Sequence, residues 1–306
     1  MRILIVANHN KGKYSTFVTE QVESTKKFGV VAEYFGVHGK GVSGYLSNLP
    51  ALRAKIKEFH PDLIHAHYGL CGLLANLQRM VPVVTTYHGS DIHSKGKNLF
   101  YSSVSIRLSA LNIFVSNRLL IQSGYHGKKK CVIPCGVDTK IFYPIAQEEA
   151  RKQLGWELDK KYVLFAGAFD NEVKNSGLAK AATALVDGAE LMELRGYTRD
   201  QVCLAMNAAN CLLLTSHREG SPLVVKEAMA CGTPVVSVDV GDVISITKGA
   251  EGCYIASRDA HDVAECLQKA LAFQGKTDGM QQIFIKKFNK EQIAEQVVEA
   301  YQKLLK

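Results

Sequence analysis

A chain of 306 residues that is 47% hydrophobic and 22% charged has the balance of a globular protein with room for about two domains, each able to bury its own core. Disordered and fibrous classes are excluded. The formal net charge of +8 asks for an anionic partner or a solvated basic surface, and nucleic acid is a poor match because the lysines are not interleaved with aromatic residues.

No basic segment followed by an apolar run opens the sequence, and no window approaches about 18 uninterrupted apolar residues, so a cytoplasmic chain without a membrane span is expected. Eight cysteines without a C-x-x-C pair are expected to be reduced and structural.

The first half alternates strands and helices. Strands are predicted near Ile3 to Val6, Val30 to Phe35, Leu63 to Ala66, Val83 to Tyr87, Leu111 to Val115 and Lys130 to Ile133. Helices are predicted near Phe17 to Lys27, Leu49 to Phe59, Gly72 to Gln78 and Phe100 to Ala110. That alternation builds one doubly wound domain. The loop His9-Asn10-Lys11-Gly12 follows its first strand, and His88-Gly-Ser-Asp91 follows its fourth. His65 and His67 are expected on opposite faces of their strand, so no metal site is expected from them with Asp91 and His93.

A polar stretch from 138 to 159, with Pro144 and a short helix from Gln147 to Leu154, is the predicted connection and divides the chain into domains at 1–145 and 146–306. Strands follow at Tyr162 to Ala166, Glu190 to Leu194, Cys211 to Thr215 and Val235 to Val238, then helices at Ala260 to Phe273 and Lys290 to Leu305.

Between the last two strands lies the run Arg218-Glu-Gly-Ser-Pro-Leu-Val-Val-Lys-Glu-Ala-Met-Ala-Cys-Gly-Thr-Pro-Val-Val236. Ser221 reads as an N-cap, Pro222 as the first helical residue and Gly232 as the glycine after the helix, which predicts a helix over 222–231. Glu219 then sits at the carboxyl end of a strand, where open α/β sheets bind ligands, and Glu227 lies about 7.5 Å along the helix axis. Between them the N–H groups of Leu223 and Val224 form an anion site. Hydroxyl, phosphate, hydroxyl is the order of groups in a nucleotide-diphosphate sugar.

Glu-x7-Glu followed by Ala-Met-Ala-x-Gly-x-Pro-Val-Val resembles the donor-site signature of the retaining family-4 glycosyltransferases of GT-B fold, within the glycosyl transferases of group 1. Arg2-Ile-Leu-Ile-Val6, Pro61-Asp-Leu-Ile-His-Ala-His67, Thr86-Tyr-His-Gly-Ser-Asp91 and Ile133-Pro-Cys-Gly-Val-Asp138 extend the resemblance along nearly the whole chain. It implies an α/β architecture of two doubly wound Rossmann-like domains facing each other across a cleft. The first would be the acceptor side and the second the donor side, with the helix after about 290 crossing back onto the first.

The activity implied is retaining hexosyl transfer from a nucleotide sugar to a glycan or lipid-linked acceptor, as in cell-surface polysaccharide synthesis, with no cofactor or metal. By the resemblance, Glu219 orients the donor sugar, Glu227 binds the ribose and His88 faces the sugar. Lys174 and Gly167, in the loop after the strand at 162–166, grip the diphosphate, and Gly220 and Ser221 complete the donor side. His9, Gly12 and His67 would lie on the acceptor side. Basic residues at Lys11, Lys13, Lys26, Lys27, Lys40, Arg53, Lys55, Lys57 and 128–130 would suit the anionic inner face of the plasma membrane.

Two departures stand out. Ala168 occupies the position where the family carries an arginine, which removes a bidentate phosphate contact, and the loop after the first strand has one glycine instead of two. A GT-B nucleotide-sugar epimerase and a catalytically weakened, nucleotide-sugar-binding homologue therefore stay open as alternatives.

Overall fold

The computed structural model describes residues 1–10, 12–93 and 97–306, and the side chains of all of these except 97 and 98. Lys11, counted above in the first loop and among the basic residues, lies outside the described residues. The chain forms two compact units, Met1–Gly136 with Lys290–Lys306, and Val137–Asn289. The division falls after Gly136, ahead of the expected 145, because Val137 already belongs to the second unit: its N–H donates to Phe288 O at 2.9 Å.

Unit 1 runs β1 (Arg2–Asn8), α1 (Thr16–Lys26), β2 (Val31–Val37), α2 (Gly41–Leu46), α3 (Leu49–Phe59), β3 (Leu63–His67), α4 (Gly69–Asn76), β4 (Val83–Tyr87), α5 (Lys97–Leu108), β5 (Leu111–Phe114), α6 (Asn117–Gln122) and β6 (Lys130–Val132). Unit 2 runs α7 (Gln147–Leu154), β7 (Lys161–Phe165), a 3-10 turn at Glu172–Lys174, α8 (Ser176–Thr183), β8 (Ala189–Glu193), α9 (Arg199–Ala208), β9 (Cys211–Leu214), α10 (Leu223–Ala230), β10 (Val235–Val238), α11 (Val243–Thr247), β11 (Cys253–Ala256), α12 (Ala260–Ala272) and α13 (Gly279–Ile285). The closing helix α14 (Lys290–Leu305) returns to unit 1.

Both sheets are parallel. Unit 1 has the order β2-β1-β3-β4-β5-β6 and unit 2 the order β11-β10-β9-β7-β8. Alternation along β1 explains the double winding of unit 1. Ile3, Ile5 and Ala7 pack with Val18 and Val22 of α1 and Val297 and Tyr301 of α14, while Leu4 and Val6 pack with Leu52 and Ile56 of α3 and Leu74 of α4. In unit 2 the strands β7, β9 and β10 are apolar on both faces, as central parallel strands must be, and merge into one core.

Strand order reverses between β1 and β3 in unit 1 and between β7 and β9 in unit 2. At such a point neighbouring crossovers leave on opposite faces, and a crevice opens beyond the carboxyl ends of the strands.

Candidate functional site

The switch point of unit 2 gathers most of the residues singled out in its sequence. After β7 the backbone turns at Gly167, whose N–H donates to Phe165 O at 2.7 Å. A Cβ at Gly167 would fall 2.8 Å from Lys174 Cγ, so glycine makes room for the lysine stem. The Asn171 side chain accepts from Val173 N–H at 3.1 Å, tightening the turn that ends in Lys174.

Residues after β9 stitch this loop in place. The Thr215 hydroxyl lies 3.0 Å from the carbonyls of both Lys174 and Asn175, and His217 N–H donates to Val173 O at 2.8 Å. Arg258 in turn donates to Ser216 O at 2.9 Å. With both loops fixed, Lys174 Nζ reaches Glu219 Oε1 at 2.7 Å. Ala168, one residue past Gly167, adds no cation.

Gly241, in the loop after β10, has φ +58, and a Cβ there would sit 3.1 Å from Glu219 Cβ and from Gly220 O. The left-handed backbone and the close approach together require glycine beneath Glu219. Nothing in the sequence motif pointed to it.

The start of α10 differs from expectation. Its N-cap is Pro222, at φ −67 and ψ 105, with no side-chain cap. Ser221 is drawn elsewhere: its hydroxyl lies 2.9 Å from Asp242 Oδ2 and accepts from Lys226 Nζ at 2.8 Å. Lys226 is fully buried, with Nζ 5.1 Å from the centre of the Phe288 ring. Ser221 thus anchors the Glu219 loop through a buried polar network, and Leu223 and Val224 form the first helical turn, whose N–H groups have no carbonyl of the helix to pair with. Gly232 follows the helix at φ +67, as the sequence predicted.

Glu227 is 5% exposed and forms an ion pair with Arg199, the first residue of α9. The guanidinium also lies over the Phe142 ring, 4.6 Å from its centre. The sequence reading missed both α9 and Arg199. The signal was there: Thr198 and Gln201 form a capping box, each side chain bonded to the other's backbone.

The remaining candidates lie in unit 1. His65 and His67 share one face of β3, with ring centroids 4.4 Å apart, which corrects the expectation of opposite faces: residues two apart on a strand point the same way. His65 is held between Tyr301 Oη at 2.5 Å and Thr86 Oγ1 at 2.7 Å. His67 Nδ1 lies 3.0 Å from His88 Nε2, and the two rings stack.

Burial holds the His67 imidazole down to about 3, and burial followed by the neighbouring His67 keeps His88 well below its usual value, so both rings are neutral near pH 7. His88 is flanked by Phe17 and Tyr68. His67 is completely buried behind it, so it reaches a ligand only through His88. His9 packs against Tyr14, and Gly12 turns the same loop at φ +70.

Residues 7–141 match the profile of Glycosyltransferase Family 4, and residues 157–272 match that of Glycosyl transferases group 1. TuaC of Bacillus subtilis, assigned by name to teichuronic acid biosynthesis as a glycosyltransferase, is 27% identical over 244 residues, which are 70% of this chain and 62% of TuaC. The D-inositol 3-phosphate glycosyltransferase of Actinosynnema mirum is 25% identical over 313 residues, covering 82% of this chain and 75% of that one.

Among solved structures, sucrose-phosphate synthase of Thermosynechococcus elongatus superposes with a TM-score of 0.87 at 20% identity over 99% of both chains. HepE of Anabaena, solved with UDP, gives 0.77 at 16% identity over 99% of this chain and 100% of that one. These structures share the GT-B fold.

Proposed function

Because the chain belongs to the family 4, group 1 glycosyltransferases, we propose that it moves a sugar from a nucleotide-diphosphate donor to a glycan or lipid-linked acceptor with retention at the anomeric carbon. The observation that carries this reading is the Lys174–Glu219 pair at the switch point of unit 2, beside the first turn of α10. A cation, a carboxylate and a helix N-terminus converge where one ligand presents phosphate and hydroxyls together. HepE, a structural neighbour, was solved with UDP and with UDP-glucose, which supports a uridine nucleotide as the first donor to try.

In the reaction proposed, the bond from the anomeric carbon to the diphosphate oxygen breaks as the acceptor oxygen bonds to that carbon on the same face. The acceptor's proton passes to the departing diphosphate oxygen. Lys174 and the Leu223 and Val224 amides stabilise the charge on the leaving diphosphate, while Glu219 accepts hydrogen bonds from the donor sugar. Glu227, oriented by Arg199, binds the ribose. The donor separates the Lys174–Glu219 pair and gives each partner a ligand group in place of the other. No metal is required, because the leaving group's charge falls on Lys174 and helix amides.

Ala168 favours a second reading, a homologue that binds nucleotide sugar and transfers nothing. Thermal stabilisation across a panel of nucleotide sugars, followed by mass spectrometry of products with glycan and lipid-linked acceptors, separates the two. Stabilisation by a donor together with a transfer product supports transfer, stabilisation without product supports the second reading, and no stabilisation overturns both.

A further inference from the structure

One helical turn past Arg199 and Glu227, the same two helices bring a second pair of side chains together. Cys203 of α9 and Cys231, the C-cap of α10, have their Sγ atoms 3.9 Å apart. Both pairs span 28 positions, and residues at i and i+4 share a helix face, so the thiols form the next rung after the Arg199–Glu227 ion pair. Cys231 N–H donates to Glu227 O at 3.1 Å, which ties the thiol residue to the backbone of the carboxylate.

The two sulfurs differ in their surroundings. Cys203 forms part of the wall of a cavity of about 470 Å³ with Tyr143, Ile145, Asp200 and Leu204, whereas Cys231 is completely buried. Asn207 Nδ2 lies 3.5 Å from Cys203 Sγ, and Lys276 Nζ donates to Asn207 Oδ1 at 2.7 Å, which puts an amide donor and a cation on the Cys203 side. The hydrogen bond from Cys231, with smaller help from Asn207 and Lys276, pulls the Cys203 thiol down to about 7 against burial, while burial pushes Cys231 well above the ordinary range. Packing alone would ask only for two inert thiols. A cavity-wall sulfur with thiolate character, backed by a second thiol, is the arrangement in which a sulfenic acid is resolved to a disulfide.

We propose that Cys203 and Cys231 are an oxidation site for hydroperoxides, closing to a disulfide that joins α9 to α10. The Cys203 thiolate attacks one peroxide oxygen, the O–O bond breaks as the S–O bond forms, and the departing oxygen takes up the proton the thiol gave. The Cys231 sulfur then bonds to Cys203 Sγ, the S–O bond breaks, and its oxygen leaves as water with the Cys231 proton. Two thiols thus give two electrons to one hydroperoxide. Closing the sulfurs from 3.9 Å to a bond of about 2 Å draws the helices together one turn from Arg199 and Glu227. Resting on the donor reading above, which gives Glu227 to the ribose, the oxidised chain holds nucleotide more weakly than the reduced one.

The test treats the full chain with hydrogen peroxide, maps disulfides by peptide mass spectrometry and titrates UDP by calorimetry before and after. A Cys203–Cys231 disulfide is expected, with UDP affinity about tenfold lower in the oxidised chain and restored by dithiothreitol. Cys231→Ser should hold a sulfenic acid on Cys203 that dimedone traps, and in Cys203→Ala peroxide should leave UDP affinity unchanged. Absence of the disulfide from the wild-type map overturns the site whether or not either variant folds, and a disulfide that leaves UDP affinity unchanged overturns its action on Glu227. A reduced chain that binds no UDP would overturn the donor reading instead, while the disulfide map still decides the oxidation site.

Discussion

Lys174 Nζ and Glu219 Oε1 meet at 2.7 Å across the two loops that follow β7 and β9, so the cation and the carboxylate of the donor site are paired before any ligand arrives. Replacing Lys174 removes the one side-chain cation this loop offers to a diphosphate and also leaves Glu219 without that partner. Lys174→Ala is expected to lower turnover about 100-fold, the scale of losing a preorganised charge contact. Adding Ala168→Arg in the same chain should recover part of it. Single-turnover assays showing wild-type rates in Lys174→Ala would remove the lysine from the mechanism.

Glu227 and Arg199 make a second test, because their pair is mostly buried. Arg199→Ala removes the cation paired with a carboxylate that is 5% exposed, and breaking a buried pair from one side costs about 3–5 kcal/mol. Arg199 keeps more solvent, so the lower figure applies. Urea unfolding of Arg199→Ala should show a loss near 3 kcal/mol, and Glu227→Gln in the same chain should return part of it. In the otherwise native chain, Glu227→Ala should weaken nucleotide binding by about 1.5–3 kcal/mol in calorimetry. Unchanged affinity there would detach Glu227 from the ribose.

Acid should weaken the fold through the buried histidines. His65 and His67 stay neutral in the folded state but take up protons below about 6.5 once unfolded, so stability present above that pH is lost as pH falls through it. His67, held down to about 3 in the folded state, contributes a loss of about 2 kcal/mol at pH 5, and His65 adds a loss in the same direction. Asp91 works the other way. Its carboxyl, pushed up to about 6, is more easily protonated folded than unfolded and offsets about 1 kcal/mol. The urea midpoint should fall between pH 7.5 and pH 5, and a flat profile would mean that these rings titrate in the native protein.

Membrane association is the fourth expectation. Lys26, Lys27 and Lys55 of unit 1 are each paired with a glutamate, which lowers the charge they offer to lipid. Docking would rest on the other basic residues, such as Lys13, Lys40 and Lys57. Cosedimentation with phosphatidylglycerol vesicles should be visible at low salt and fade as exposed charges are screened over about 8 Å near physiological ionic strength. Binding that ignores lipid charge would reject the idea. Among the described residues no helix is long and apolar enough to cross a membrane.

Local patterns were the legible part of the sequence. The apolar runs of β1, β3, β4, β9 and β10, and the helix ending at Gly232, follow from spacing and turn chemistry within a dozen residues. What escaped depends on partners far along the chain. Arg199 meets Glu227 across 28 positions, and Gly241 backs Glu219 from the next crossover. Ser221 read as a cap because serine before Pro222 usually is one; Lys226 and Asp242 outbid the helix for its hydroxyl. Strand β11, only four residues long and partly exposed, lacks the uninterrupted apolar run of β9 or β10 and went unpredicted.

The return of α14 to unit 1 bears on the order in which the two units can finish folding. Unit 2 is one continuous stretch, whereas the face of β1 and β3 carrying Ile5 and His65 is covered by Val297 and Tyr301, made more than 200 residues later. On a ribosome the first-made unit must wait, with that face covered only by α1, until unit 2 has been completed. A chain that stops before Lys290 would lack the cover over His65, and its exposed sheet would be a target for proteolysis and aggregation although the whole donor site had already folded.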